Sequence, residues 1–307
     1  MTNHRCYYRI AEITIQVDSD LLITDNTFSD KLALFRVDGP SDDTVTLRHH
    51  FELPDLSGQD LGKELYRKVP WAIYQKGSSW IYLGISSQAD NSQLYMVVTF
   101  NHDHTHAQIF SNLTKPFLKG GLHSLTMFPS DQILIARLLA DRNGCYLHSA
   151  GAILEGAGML FVGHSDAGKS TTVRMLMQAS SEEVSASSLH AEILCDDRNI
   201  VRRWEDGWRV YGTWSHGDVP EISPSSAPLR AICFLEQANE NTLTLLTDRK
   251  EITHRLLACV IKPFVTADWW HNTLILIEQM AREVPCYVMR FDRSGNIVGE
   301  LKRLIYR

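Results

Sequence analysis

The run Gly163-His164-Ser165-Asp166-Ala167-Gly168-Lys169-Ser170 constrains this chain more than any other stretch. Two glycines bracketing a short polar turn, followed at once by a lysine and a hydroxyl, form the pattern of a phosphate-binding loop. The backbone N–H groups turn inward around a polyphosphate, Lys169 reaches the outer phosphates, and the Ser170 hydroxyl can sit on Mg²⁺. Met159-Leu160-Phe161-Val162 before the loop is apolar and strand-like, while Val173, Leu176 and Met177 after it recur at helical spacing. A strand entering and a helix leaving is the context such a loop requires, because the helix N-terminus adds unpaired N–H groups and a partial positive charge. Every position from Gly163 through Thr171 is therefore a candidate nucleotide contact.

A second motif follows the loop helix. Ala191-Glu192-Ile193-Leu194-Cys195 reads as a core strand that delivers Asp196 and Asp197 to its C-terminal end, the edge at which open α/β sheets bind ligands. Two carboxylates beside a phosphate loop can divide metal binding from acceptance of an attacking hydroxyl's proton. The residue types leave open which aspartate does which. Upstream, 145–154 reads as a strand containing His148, and 155–158 as the turn of a hairpin feeding the loop. A helix over 131–143, started by Pro129-Ser130-Asp131 and closed by Gly144, precedes that hairpin.

Beyond the aspartates, 198–203, 208–211 and 229–235 are strand candidates. Between the last two lies a long Gly-, Pro- and Ser-rich loop, 212–226, a candidate for nucleotide or acceptor contact through Thr213 and His216. The polar, Ser-rich 180–188 is a surface connection. Two helices, 249–260 and 267–283, the second with an apolar face of Trp270, Leu274, Ile277 and Met280, precede a closing strand at 286–291.

The first 125 residues carry no such chemistry. Short aromatic and β-branched runs at 10–17, 33–37, 44–48, 71–74, 80–83 and 94–100, separated by turns such as Asp90-Asn91-Ser92, predict a small antiparallel sheet domain. His102, His104 and His106 alternate, so an extended strand would put three imidazoles on one face, a geometry open to a metal; the alternative is a solvated strand or turn.

The length of 307 residues fits two domains, 1–125 and 126–307. A net charge of −6 lacks the concentrated basic stripe that nucleic-acid binding needs, so DNA and RNA are not expected as partners. No apolar run approaches the roughly 20 residues of a membrane span, and the opening residues contain no apolar signal core. The six cysteines form no CxxC pair, so reduced, buried thiols in a cytoplasmic protein are expected.

Taken in order, Leu147-His148-Ser149-Ala150-Gly151, the hairpin, the loop 163–170 and Leu194-Cys195-Asp196-Asp197-Arg198 resemble the kinase core of HPr kinase/phosphorylase. The resemblance covers roughly 131–235. It implies an α/β P-loop kinase domain similar to that of phosphoenolpyruvate carboxykinase, preceded here by a β-rich N-terminal domain. It further implies His148 near the transferred phosphate, Lys169 on the β and γ phosphates, Ser170 on the metal, and Asp196 and Asp197 sharing metal binding and proton abstraction, with Asp197 joined to Ser170 in the metal set. ATP and Mg²⁺ are the implied cofactors, and a homo-oligomer is plausible by resemblance alone. The Glu-Leu-Arg-Gly-like and Pro-Gly-Arg-Asn-like segments of the bifunctional enzymes are absent, which points away from phosphorylase activity and from HPr as acceptor. The expected activity is γ-phosphoryl transfer to a hydroxyl, chiefly a serine of a protein or peptide. The alternatives are a small-molecule acceptor and a nucleotide-gated binding or assembly module without transfer.

Overall fold

The computed structural model describes residues 3–86, 93–127, 131–181, 189–263 and 266–306. Asp90-Asn91-Ser92, the helix-start residues Pro129 and Ser130, and 182–188 of the Ser-rich connection lie outside the described residues. The architecture is mixed α/β, mostly β, with two sheets in two compact units, Met1–Leu134 and Ile135–Arg307. Among the described residues no helix is long and apolar enough to cross a membrane.

Unit one carries strands β1 (Asn3–Ile10), β2 (Ile13–Ile23), β3 (Arg36–Val37), β4 (Thr44–His50), β5 (Lys63–Lys68), β6 (Trp71–Lys76), β7 (Ser79–Ile85), β8 (Leu94–Phe100) and β9 (His106–Ser111). Two short helices, α1 (Asp30–Ala33) and α2 (Thr114–Lys119), accompany them. The sheet order is β3-β1-β2-β4-β9-β8-β7-β6-β5, and β2–β4 and β4–β9 pair in parallel, which corrects the expectation of an antiparallel sheet. The single strand expected at 10–17 is also wrong. Ala11 and Glu12 both take positive φ, 47° and 63°, and form a two-residue hairpin turn, with Ile10 opposite Ile13. That turn type favours Asn-Gly and Asp-Gly, so an Ala-Glu turn leaves no sequence signal.

His102, His104 and His106 do not share a strand face. His102 and His104 lie in the turn between β8 and β9, where His104 has φ 61°, is buried, stacks on Phe100 and lies 2.9 Å from the Tyr82 hydroxyl through Nε2. His106 is exposed and starts β9. The packing of His104 among aromatic rings, which no alternation pattern encodes, breaks the row of three.

A second histidine of this unit has a consequence for stability. His49 of β4 is fully buried with Nε2 2.8 Å from the Leu125 carbonyl, and burial pulls its imidazole down to about 4. The unfolded chain takes up a proton near pH 6.5 that the folded chain refuses, so this contribution is complete above that pH and is lost as pH falls toward 4. The loss is on the order of 3 kcal/mol. Thermal melts between pH 7 and pH 4 are expected to show a falling acid limb that His49→Gln flattens; an equally steep limb in the variant would contradict this.

Unit two is built as three layers. Helix α3 (Gln132–Ala140) leads into β10 (Gly144–Leu154), which turns through Glu155 and Gly156 into β11 (Ala157–Val162). Gly144 does not close the helix as expected: Asn143, at φ 51°, ends the turn and Gly144 begins the strand. A side chain at Gly144 would press on Leu139 and Arg202. Next come α4 (Lys169–Ser181), β12 (Ala191–Cys195), β13 (Arg198–Trp204), β14 (Gly207–Tyr211) and β15 (Ser226–Gln237). The unit ends with β16 (Thr242–Leu246), α5 (Arg249–Cys259), α6 (Ala267–Glu283), β17 (Cys286–Phe291) and α7 (Ile297–Ile305).

Alternation on the inner strands splits the core. Leu160 and Val162 of β11 and Ile232 and Phe234 of β15 pack with α5 and α6, whereas Met159, Phe161, Ala231 and Cys233 pack with α4 and α7. On α6 the buried stripe is Trp269, Thr273, Leu276, Ile277, Met280 and Ala281. It is rotated by about one residue from the expected face, so Leu274 is left 40% exposed. All six cysteines are buried and free.

Candidate functional site

Strand direction assembles the site. β10 runs antiparallel to both β11 and β12, and β11 pairs in parallel with β15, which pairs in parallel with β17. The C-terminal ends of β11, β12, β15 and β17 therefore share one edge. Val162 pairs with Ser149 and Cys195 with Gly151, which sets His148 of β10 at that same edge beside the two loops.

Residues 163–168 span the gap between β11 and α4. Gly168 has φ 104°, and a Cβ there would stand 2.6 Å from the Phe291 ring, so both backbone and space require glycine. Gly163 is confined by Ala167, whose Cβ would lie 2.5 Å from any side chain placed there. Ala167 N donates to the His164 carbonyl, and Gln237 from the end of β15 donates to the Asp166 carbonyl. His164, Ser165 and Asp166 are exposed at the loop tip, and Thr171 is half-buried in the first turn of α4. The Lys169 ammonium donates to the Gly163 and His164 carbonyls at 3.0 and 2.8 Å. Burial holds Lys169 below the usual lysine range, with the charges of Asp197, Asp196 and Asp166 among those acting against that shift.

The two aspartates occupy different environments. Asp196 is 1% exposed and gathers three donors: the Ser170 hydroxyl at 2.8 Å, Gly217 N at 2.5 Å and Val219 N at 2.9 Å. Asp197 faces the open side. Its Oδ1 lies 3.3 Å from His148 Nε2, and its Oδ2 meets Arg198 at 2.5 Å and the Ser215 hydroxyl at 3.2 Å. Burial alone would raise the Asp197 carboxyl, but His148, Arg198 and Ser215 together hold it below the ordinary aspartate value. Its backbone carbonyl also accepts from Ser149 N.

The 212–225 loop reaches the site by residues other than those expected. Thr213 is fully buried and donates to the Arg198 carbonyl, so it is a structural strut, while exposed His216 lies against the Gly217 carbonyl. Contact with the aspartates comes from Ser215 and from the amides of Gly217 and Val219. Amides carry no sequence signature, so the contacts of Gly217 and Val219 with Asp196 are not visible from residue types. Gly212 is needed at the loop's base, since a Cβ there would collide with the Ser223 carbonyl at 1.8 Å.

Among the described residues no group of three or more His, Cys, Asp and Glu side chains is arranged to hold an ion. Ser170 and Asp196 offer adjacent hard oxygens, a donor set that fits Mg²⁺ sharing its shell with phosphate oxygens and water.

A family model described as SynChlorMet cassette protein ScmC matches residues 122–306, well over half of the chain and all of the site. No curated protein matches. Among solved structures, the HPr(Ser) kinase/phosphatase from Coxiella burnetii is a weak match, with 7% identity and a TM-score of 0.30 over 52% of this chain and 88% of that one.

Proposed function

The chain belongs to the SynChlorMet cassette protein ScmC family, and we propose that it is a Mg²⁺- and ATP-dependent phosphotransferase acting on a hydroxyl, chiefly a serine of a protein or peptide. One observation carries this reading: Lys169, Ser170, Asp196, Asp197 and His148 meet along a single sheet edge, with Ser170 on one carboxylate and His148 on the other. Phosphoryl transfer asks a protein mainly for positioning and charge neutralisation, and this set supplies both. The resemblance of the ordered motifs to HPr kinase/phosphorylase supports the same reading.

In this mechanism the amides of 163–168 and the N-terminus of α4 hold the phosphates, and Lys169 exchanges its two loop carbonyls for β and γ oxygens. The Ser170 oxygen, with Asp196 behind it, would hold Mg²⁺, and the ion would supply neutralisation of the phosphates' charge. Asp197, oriented by His148 and Arg198, takes the proton as the acceptor oxygen bonds to the γ-phosphorus and the bond to the ADP oxygen breaks. The metal role thus passes to Asp196 and the base role to Asp197, in place of the expected pairing of Asp197 with Ser170.

A nucleotide-gated module without transfer draws on a different observation, that Asp196 links Ser170 to the 217–219 amides on one carboxylate. Incubation with γ-labelled ATP, Mg²⁺ and a degenerate serine-centred peptide library separates the two. Label transfer lost in both Lys169→Ala and Asp197→Asn supports the kinase, and transfer undiminished in both excludes the mechanism. Label appearing only in a small-molecule extract would assign the acceptor to metabolites.

A further inference from the structure

Helices α5 and α6 lie side by side against one face of the unit-two sheet, and an open cavity of about 510 Å³ lies between them on the solvent side. Its floor includes half-buried Leu257 and buried Ala281, and its rim carries Arg249, Lys250, His254 and Arg282, opposed by the single carboxylate of Glu278. Arg255 on the same helix is taken up by Glu236 and Glu251. Arg249, Lys250 and Arg282 form no salt bridge among the described residues. A chain of net charge −6 thus gathers Arg249, Lys250, His254 and Arg282 around one apolar floor, with Arg282 Nε donating to the Glu278 carbonyl at 3.3 Å and its charge acting on neighbouring Glu283. The apolar surface continues along α6, where Ile275, 44% exposed, precedes Glu278 and Arg282 at helical spacing.

The groove also points toward the chemistry. At the C-terminal end of α5, Val260 bridges to Leu147 and Ile261 N donates 2.8 Å to the Tyr146 carbonyl, immediately before His148. From Lys250 to that junction the helix rises about 15 Å, the reach of four or five extended residues.

We propose that the α5–α6 groove docks an acidic, amphipathic segment of the peptide acceptor, placed about five or more residues from the hydroxyl that is phosphorylated. The charge complementarity and the apolar floor stand by themselves; the identity of the occupant as the acceptor rests on the phosphotransferase reading. Cationic rims of this kind select and steer acidic partners, and the apolar strip holds them once docked.

The probe is a fluorescein-labelled amphipathic peptide of alternating leucine and glutamate faces, with a glutamine-for-glutamate counterpart, followed by fluorescence anisotropy on the full chain. The acidic peptide is expected to bind with an affinity that falls with salt. Binding should be weaker by about tenfold or more in the combined Arg249→Glu, Lys250→Glu, Arg282→Glu variant and for the glutamine peptide. Equal binding of both peptides, undiminished binding by the variant, or displacement by inorganic tripolyphosphate but not by unlabelled acidic peptide would overturn the proposal. If the triple variant misfolds, the comparison of the two peptides on the wild-type chain decides. Thermal shift with Mg²⁺ and ATP, measured on the same samples, keeps the two claims apart. Peptide binding without any nucleotide shift would sink the kinase and leave the groove, and the reverse would sink the groove and leave the kinase.

Discussion

Replacing Asp197 by asparagine is expected to slow phosphoryl transfer by about 10²–10⁴-fold, the usual worth of a positioned general base, while nucleotide affinity changes little. The shape of the side chain is kept, so the loss isolates its charge and its capacity for a proton. His148 at 3.3 Å and Arg198 at 2.5 Å hold the carboxylate ionised, and their pull outweighs the opposing effect of burial. With its carboxyl held below the ordinary value of about 3.9, Asp197 is charged throughout the neutral range. No acid limb from this residue should appear in the rate profile above about pH 4. Single-turnover rates against pH for the two proteins check both statements, and a wild-type rate in Asp197→Asn would remove this residue from the chemistry.

Asp196→Ala is expected to fail differently, by loss of structure as well as of metal dependence. The buried carboxylate is the common acceptor for Ser170, Gly217 N and Val219 N. Deleting it strands three donors, and buried unsatisfied groups cost about 1–3 kcal/mol each. Partial access of water to the loop keeps the expected destabilisation on the order of 3 kcal/mol. Amide exchange at Gly217 and Val219 should accelerate, with early proteolysis in 212–225. Denaturant unfolding and hydrogen exchange measure these, and an unaltered exchange rate at both amides would show that Asp196 does not pin the loop.

The contrast between the two aspartates marks where sequence reading stops. Adjacent identical residues look the same in a sequence, yet the strand end sends one side chain inward under Ser170 and the next outward to His148. The hairpin, the helix after the loop, the strand before the aspartates and the positions of α5, α6 and β17 were legible because apolar periodicity and glycine placement act locally. The edge on which these pieces converge depends on pairings such as Val162 with Ser149 and Cys195 with Gly151, which no local pattern encodes. Polar, weakly patterned elements escaped as well: β5, a wholly exposed edge strand, and β16, with Leu245 turned to solvent. The row of alternating histidines falls in a turn, the alternative to a shared strand face, so a regular pattern in sequence lies across a bend in space.

Titration of the wild-type chain and Lys169→Ala with ATP, alongside GTP and pyrophosphate, with and without Mg²⁺, followed by thermal unfolding, decides whether the 163–170 loop binds nucleotide. A ligand at one hundred times its dissociation constant adds about 2.7 kcal/mol to the folded state, which moves the midpoint by several degrees. A Mg²⁺-dependent rise is expected for the wild type and none for Lys169→Ala. No shift with any of these ligands, or an equal shift in the variant, would contradict nucleotide binding by the 163–170 loop.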